Sequence, residues 1–268
     1  QEVITPPKWL AYTPFQYDVD SIAPELSDIE LEIADEHSPI SLPRGQRPHS
    51  VTVLLTYPHL RAGTLPLSPQ LRGLFPTAYE SQRIRFTLVD IETDDEFPAW
   101  VVRPYGYVYG LAEWFAQHNL LVGSYLTIQR TNQPGRVNIG YRHRKPRSEW
   151  LRTVTLDGTR LRIQNNKVTV GCEYDEQMAI VAANSDDIDK LWNQPGGNMS
   201  TLKTVLPDLC RELAQLNPQR HIHARTIYSV VNLLVRCPPA PIFAALNSLS
   251  LLEYVGGAYW RLIPASET

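Results

Sequence analysis

The sequence predicts an α+β chain in which a β-rich barrel precedes a small helical module. Three observations predict it. The 268 residues include 22 prolines and 13 tyrosines, a usage that favours many short strands and turns over long helices. Runs of β-branched and apolar residues recur between Val51 and Cys172, several alternating with period two and separated by turn dipeptides. After Gln194-Pro-Gly-Gly-Asn198 the spacing becomes helical, and a Gly-Gly hairpin lies near the end. The expected division is an acidic N-terminal arm over 1–50, an open barrel with a β extension over 51–198, and a helical module over 199–268.

Residues 1–50 are Pro-rich, with a short amphipathic stretch near 27–34, and read as an arm wrapping onto the barrel. Val51-Thr-Val-Leu-Leu-Thr56 reads as a buried strand, broken by Tyr57-Pro-His-Leu-Arg-Ala-Gly63 and resumed by Thr64-Leu-Pro-Leu67. Ser68-Pro69 has the form of an N-cap followed by Pro at the first helical position, so one helical turn is expected towards Leu74. Arg83-Ile-Arg-Phe-Thr-Leu-Val89 alternates charged and apolar residues, as a half-buried strand does. Residues 97–103 are another strand, and 111–119 a short helix with Leu111, Trp114 and Phe115 on one face. Residues 125–128 and 137–141 pair across the turn Gln133-Pro-Gly-Arg136. Three further strands are expected at 150–156, 160–163 and 167–172, with Asp157-Gly158 and Asn165-Asn166 as their turns. A short helix is expected at 186–192. Beyond the linker, a helix capped by Ser200 carries Leu202, Leu206, Leu209 and Leu213 on one side, kinked or begun anew at Pro207. Helices at 224–234 and 241–247 precede strands at 251–255 and 258–263.

A chain of this length can hold two domains and a sizeable core. No apolar run approaches the ~18 residues that cross a bilayer. Gln1 to Trp9 lack a basic stretch followed by an apolar one, so no secretory signal is expected. Cys172, Cys210 and Cys237 are odd in number and far apart, which excludes a disulfide scaffold and the usual zinc spacings. Such usage fits a cytoplasmic protein with its thiols reduced and in the core.

The net charge is −3, yet it is unevenly spread. The first 50 residues are strongly acidic, whereas 129–152 hold seven Arg and Lys against Glu149 alone. A local basic patch is what meets phosphate. The run Arg142-His-Arg-Lys-Pro-Arg147 is either a solvated turn or a strip that tracks a phosphate backbone.

The order of elements carries a resemblance. Leu55-Thr56 precedes the first loop, Leu65-Pro66 comes after it, and Leu74-Phe75-Pro76 comes next. The block at 110–128 reads Gly-x-x-x-Trp-Phe, then Asn-Leu-x-x-Gly-x-x-Leu-x-Ile. Residues 51–142 thereby resemble the plant B3 DNA-binding domain and the related N-terminal effector domain of certain restriction endonucleases. Where that family often carries Asp, this chain has Ser124. The resemblance implies a seven-stranded open pseudobarrel gripping the major groove of double-stranded DNA with two arms, one after the first strand and one after the fourth. By position these are 57–63, with His59 and Arg61 as donors, and 103–109, with Arg103, Tyr105 and Tyr107. Arg can bridge guanine O6 and N7, and Tyr hydroxyls can reach phosphate. Arg142, Arg144, Lys145 and Arg147 would add phosphate contacts.

Ile222-His-Ala-Arg-Thr-Ile-Tyr228, with Tyr-Val-Gly-Gly-Ala-Tyr-Trp-Arg-Leu262 after it, resembles the HARE-HTH winged helix, also found in a bacterial RNA polymerase subunit. Its third helix is apolar where a recognition helix offers Arg, Lys, Asn or Gln. The module therefore either docks another protein or uses Arg225 and Arg220 on DNA.

The chemistry of known enzymes is missing from the sequence. None of Lys8, Lys145, Lys167, Lys190 and Lys203 has an acid two residues before it, so the PD-(D/E)xK nuclease motif is absent. No Gly-x-Ser-x-Gly, P-loop or HExxH occurs. His221-Ile-His223 places two imidazoles on one strand face without nearby Cys or clustered acids, and reads as polar surface. The expectation is a non-catalytic, sequence-dependent DNA-binding protein without cofactor or metal, acting as a transcription regulator or as the recognition module of a DNA-processing or defence system. Two alternatives stand beside it: a scaffold that docks partners through the winged helix, and the recognition subunit of a restriction-type nuclease.

Overall fold

A few apolar side chains anchor the acidic segment that opens the chain. In the computed structural model, which describes residues 5–41, 48–78, 80–192 and 199–263, this segment forms 3-10 turns at Lys8–Leu10, Val19–Ser21 and Pro24–Leu26 and one short helix, α1 (Ser27–Glu32). Leu10, Phe15, Leu26 and Ile33 are buried. The acids between them mostly face solvent, so the segment covers other elements while keeping its charge hydrated.

The alternating runs then build one curled sheet. Its strands are β1 (Ser50–Leu54), β2 (Thr64–Pro66), β3 (Arg83–Asp90), β4 (Glu96–Val102), β5 (Tyr107–Tyr109), β6 (Tyr125–Arg130) and β7 (Arg136–Tyr141). Helix α2 (Tyr57–Ala62) joins β1 to β2, and α3 (Ala112–Gln117) joins β5 to β6. The seven strands lie in the order β1-β6-β7-β3-β4-β5-β2, a half-barrel. β3 and β7 pair in parallel, and the other neighbours are antiparallel. Phe86 and Leu88 of β3 enter the core, where they meet Val101, Val108, Leu126, Ile128 and Ile139, while Arg83 and Arg85 stay outside. Ser68-Pro69 opens a set of hydrogen-bonded turns, with Leu71 and Arg72 donating to the Ser68 carbonyl, rather than a full helix. Ser124 is buried, and its hydroxyl accepts from the Leu121 N–H at 3.0 Å.

Gly63 ends α2 in the left-handed region, with φ of 64°. A Cβ added there would sit 2.5 Å from the Cβ of Ala112 and 2.8 Å from its backbone. The two helices of the half-barrel therefore approach through this glycine. Gly63→Ala is expected to cost at least about 2 kcal/mol, combining left-handed strain with overpacking, as read from the urea midpoint.

The β extension departs from expectation. Two long strands replace the three expected: β8 (His143–Asp157) and β9 (Arg160–Cys172), with a bulge in their pairing between His143 and Arg147. The turn between them is Gly158-Thr159, one residue beyond the expected Asp157-Gly158, because Asp157 still pairs with Arg160, whereas Asn165 and Asn166 lie in mid-strand opposite Arg152 and Leu151. The physical reason is a change of buried face. Leu161 and Ile163 share one parity and Val170 and Cys172 the other, so the polar pair falls where the ribbon exchanges one core for another. Leu151, Val170 and Cys172 belong to the half-barrel core. Val154, Leu161 and Ile163 belong to the core of the C-terminal helices. A short strand, β10 (Ile180–Ala182), adds in parallel to β8.

Helix α4 (Ser185–Leu191) is capped by the Asn184 side chain. The linker at 194–198 lies outside the described residues. Helix α5 (Met199–Ala214) runs through Pro207 as one element, so it does not begin anew at the proline. Its buried stripe of Leu202, Leu206, Leu209, Cys210 and Leu213 continues on both sides of the proline and holds the helix together. Then come β11 (His221–His223), α6 (Ala224–Val231), α7 (Pro239–Asn247), β12 (Leu252–Gly256) and β13 (Tyr259–Leu262). The three strands form a separate antiparallel sheet in the order β11-β13-β12. Trp260 is buried beneath it beside Phe243 and Tyr254. Among the described residues, no helix is long and apolar enough to cross a membrane.

Candidate nucleic-acid interface

The first arm is not a loop. Residues 57–62 form α2, with Pro58 in its first turn. His59 is only 1% exposed, which corrects its expectation as a DNA donor. Its Nδ1 lies 2.8 Å from the Thr64 hydroxyl, and its Nε2 donates to Glu36 Oε2 at 3.2 Å. Arg61 bonds to Asp189 at 2.7 Å and Asp186 at 3.2 Å, and its guanidinium lies 5.0 Å from the Trp9 ring centroid. Arg61 is thus neutralised by two carboxylates of α4.

The second arm is also closed. Residues Arg103–Tyr105 form a 3-10 turn, and the Arg103 guanidinium meets the carbonyls of Ala78 and Ser81. Tyr107 belongs to β5 and is 3% exposed, too buried for the phosphate contact expected of it. Tyr105 stacks on Tyr107, with ring centroids 6.3 Å apart. Leu10 is buried together with Ala62, Val102 and Tyr107, and Trp9 and Tyr105 pack against the group. The opening segment of the chain therefore lies across both arms. A groove there would have to displace an apolar contact before it could admit a duplex.

A charged knot fixes this cover. Arg236, just beyond α6, is buried, with Asp35 Oδ2 at 2.9 Å and Glu36 Oε2 at 3.0 Å. Glu36 also faces His59 and His37. Burial by itself raises a carboxyl, but Arg236 and His59 outweigh it and hold Glu36 well below its ordinary value. Burial pulls the His37 imidazole down, and His37 stacks on Tyr12 at 3.9 Å.

The same segment meets the C-terminal module. Helix α7 is buried from Pro239 to Leu246, and Val19–Ser21 packs on it, with the Asn247 amide donating to the Ser21 carbonyl. Its apolar character serves the chain's own core. Arg225 pairs with Asp175 and Glu32, a tie between three segments rather than a contact kept for DNA.

The basic run remains at the surface. Residues 142–147 pass from the end of β7 into β8 and line a concavity of about 870 Å³ with Tyr125, Glu173 and Tyr174. Arg142 lies over the Tyr125 ring at 4.5 Å and meets Glu173 loosely at 3.8 Å. Arg144 lies over Tyr174 at 5.0 Å and pairs with Glu149 at 2.8 Å. Arg147, with a side chain 68% exposed, also reaches Glu149. The Tyr174 hydroxyl, with Arg147 and Arg144, holds the Glu149 carboxyl below its usual value, so it stays ionised and orients both arginines. Lys145 is exposed and has no ion pair among the described residues. Four cations face two carboxylates, so the concavity is net positive.

No family model and no curated protein matches this chain.

Of the residues expected to meet DNA, the basic concavity gathers Arg142, Arg144, Lys145 and Arg147, and the two arms lie outside it. Sequence reasoning passed over Tyr125 and Tyr174, which set the guanidinium planes. It also passed over Trp150, which is exposed on β8 with the Lys167 ammonium 5.4 Å from its ring centroid. The signal was present: the same-face neighbours two residues away, Ser148 and Arg152 for Trp150 and Asn165 and Thr169 for Lys167, are all polar, a poor setting for a core aromatic. Among the described residues, no group of three or more His, Cys, Asp or Glu is arranged to hold a metal ion.

Proposed function

We propose that this chain is a non-catalytic protein that binds double-stranded DNA in a sequence-dependent way, as a transcription regulator or the recognition module of a larger DNA-processing or defence system. Arg142, Lys145 and Arg147 contact phosphate, and Arg144 orders the strip through Tyr174 and Glu149. The observation that carries this reading is the exposed, net-positive concavity at 142–147. Aromatic rings beneath the guanidinium groups pre-orient them, which lowers the entropy lost on meeting phosphate. The strand order of the half-barrel supports a B3-like pseudobarrel. The succession α5, β11, α6, α7, β12, β13 supports a winged helix. Three buried free thiols fit a reducing cytoplasm.

Selection from a random duplex pool tests the reading. The expected result is retention at about 0.1 M salt with enrichment of a common motif. Failure to retain any duplex contradicts it.

A further inference from the structure

The middle of the β8–β9 ribbon borders a second concavity, distinct from the basic one. It lies between the ribbon, the turn at 174–179 and the sheet β11-β13-β12, with a volume of about 470 Å³. That size suits one small planar ligand. Leu151, Leu213 and Leu216 contribute apolar wall. Trp150 stands at this cleft 67% exposed, whereas the other tryptophans among the described residues are buried or half-buried. His221, His223 and Tyr259 line the same cleft. Residues two apart on a strand share a face, and the register sets His223 opposite Tyr259.

The polar groups of the cleft are those of an edge-reading site. His223 Nδ1 accepts from the Arg225 N–H at 3.1 Å, so the neutral ring carries its proton on Nε2 as a fixed donor. Burial lowers the His223 pKa and keeps the ring neutral. The Asn165 carboxamide and the His221 ring have no hydrogen-bond partner among the described residues. A carboxamide offers one donor and one acceptor side by side, the pattern that matches a base edge.

We propose that this cleft takes an unstacked nucleobase, its face on Trp150 and its edge on Asn165 and the two imidazoles. Aromatic faces accept any base, and the polar groups discriminate among them. The base comes either from a free nucleotide or from the duplex held by the basic strip. The second source rests on the DNA-binding reading. Arg147 lies three residues before Trp150 on β8, about 10 Å along the strand, so a duplex on the strip lies within reach of the cleft.

Two measurements on the full chain separate the sources. The first is equilibrium dialysis with adenosine 5′-monophosphate. The second compares affinity for a fully paired duplex with that for the same duplex carrying one mismatch, where extrusion costs least. Binding of the nucleotide, or preference for the mismatch by about tenfold, supports the proposal when Trp150→Ala abolishes it and Trp150→Phe restores it. Trp150 is exposed, so neither variant disturbs the core. Wild-type protein that shows neither effect, or effects that Trp150→Ala leaves unchanged, overturns the proposal. If paired duplex still binds in that case, the DNA reading stands and only the cleft assignment fails. Nucleotide binding through Trp150 without any duplex binding would keep the cleft and remove the DNA reading.

Discussion

Arg236→Ala is expected to lower the unfolding free energy by about 3–5 kcal/mol, the usual cost of stranding buried carboxylates by removing their cation. Asp35 and Glu36 both lose their guanidinium partner, and neither can reach water because their side chains are 1–2% exposed. The same substitution at Arg61, whose side chain is 27% exposed, costs about 1 kcal/mol or less. Urea denaturation of the two variants measures the contrast. The knot joins the opening segment, α2 and the C-terminal module, so Arg236→Ala loosens all three together. Near-equal losses for the two variants would mean that the knot is hydrated and the cover over the arms weakly held.

Acid reports on the same knot. His37 and His223 have folded pKa values below their ordinary ones. The unfolded chain therefore takes up protons first, and stability begins to fall as pH drops below about 6.5. Glu36 is held below the usual carboxylate range. Its contribution is complete above about pH 4.5 and is lost progressively at lower pH. Two successive losses on acidification are expected in denaturation midpoints taken across pH, and Glu36→Gln should reduce the second, to which Asp90, Glu149 and Asp189, also held below their ordinary values, contribute as well.

The triple variant Arg142→Ala, Lys145→Ala, Arg147→Ala is expected to weaken duplex binding by a few hundredfold at 0.1 M salt. Counterion release contributes about eightfold for each phosphate contact at that concentration. Stability should barely change, because all three residues are exposed and the ion pairs of Arg142 and Arg147 are weak surface ones. Arg61→Ala and Arg103→Ala serve as the contrast. Both belong to the arms that the opening segment covers, and each should leave affinity within about twofold. A loss confined to the arm variants would move the interface back to the position implied by the family resemblance.

What the sequence disclosed was local. The alternation of β3 and the two hairpin turns depend on neighbours within a few residues; the alternation reads directly, and the turns read to within one residue, falling at Gly158-Thr159 and Gly257-Ala258. The basic run reads as well, since its charge density needs no partner to be visible. The misplaced residues were buried or paired by distant chain. Nothing near His59 or Tyr107 announces burial, because the cover comes from Leu10 and Glu36, more than twenty residues away. The apolar α7 has the same origin: Val19–Ser21 lies on it. Asn165-Asn166 looked like a turn because the ribbon changes its buried face there, and a period-two pattern breaks where its phase inverts.

On the proposed function, the strip at 142–147 holds duplex DNA through its phosphates. Its most direct test is the slope of log affinity against log salt for wild-type protein and for the triple variant on the same duplex. The predicted result is a steep negative slope for the wild type, flattened by about 3 in the variant, one unit for each contact removed. A flat wild-type slope, or a slope that the three substitutions leave unchanged, would contradict it.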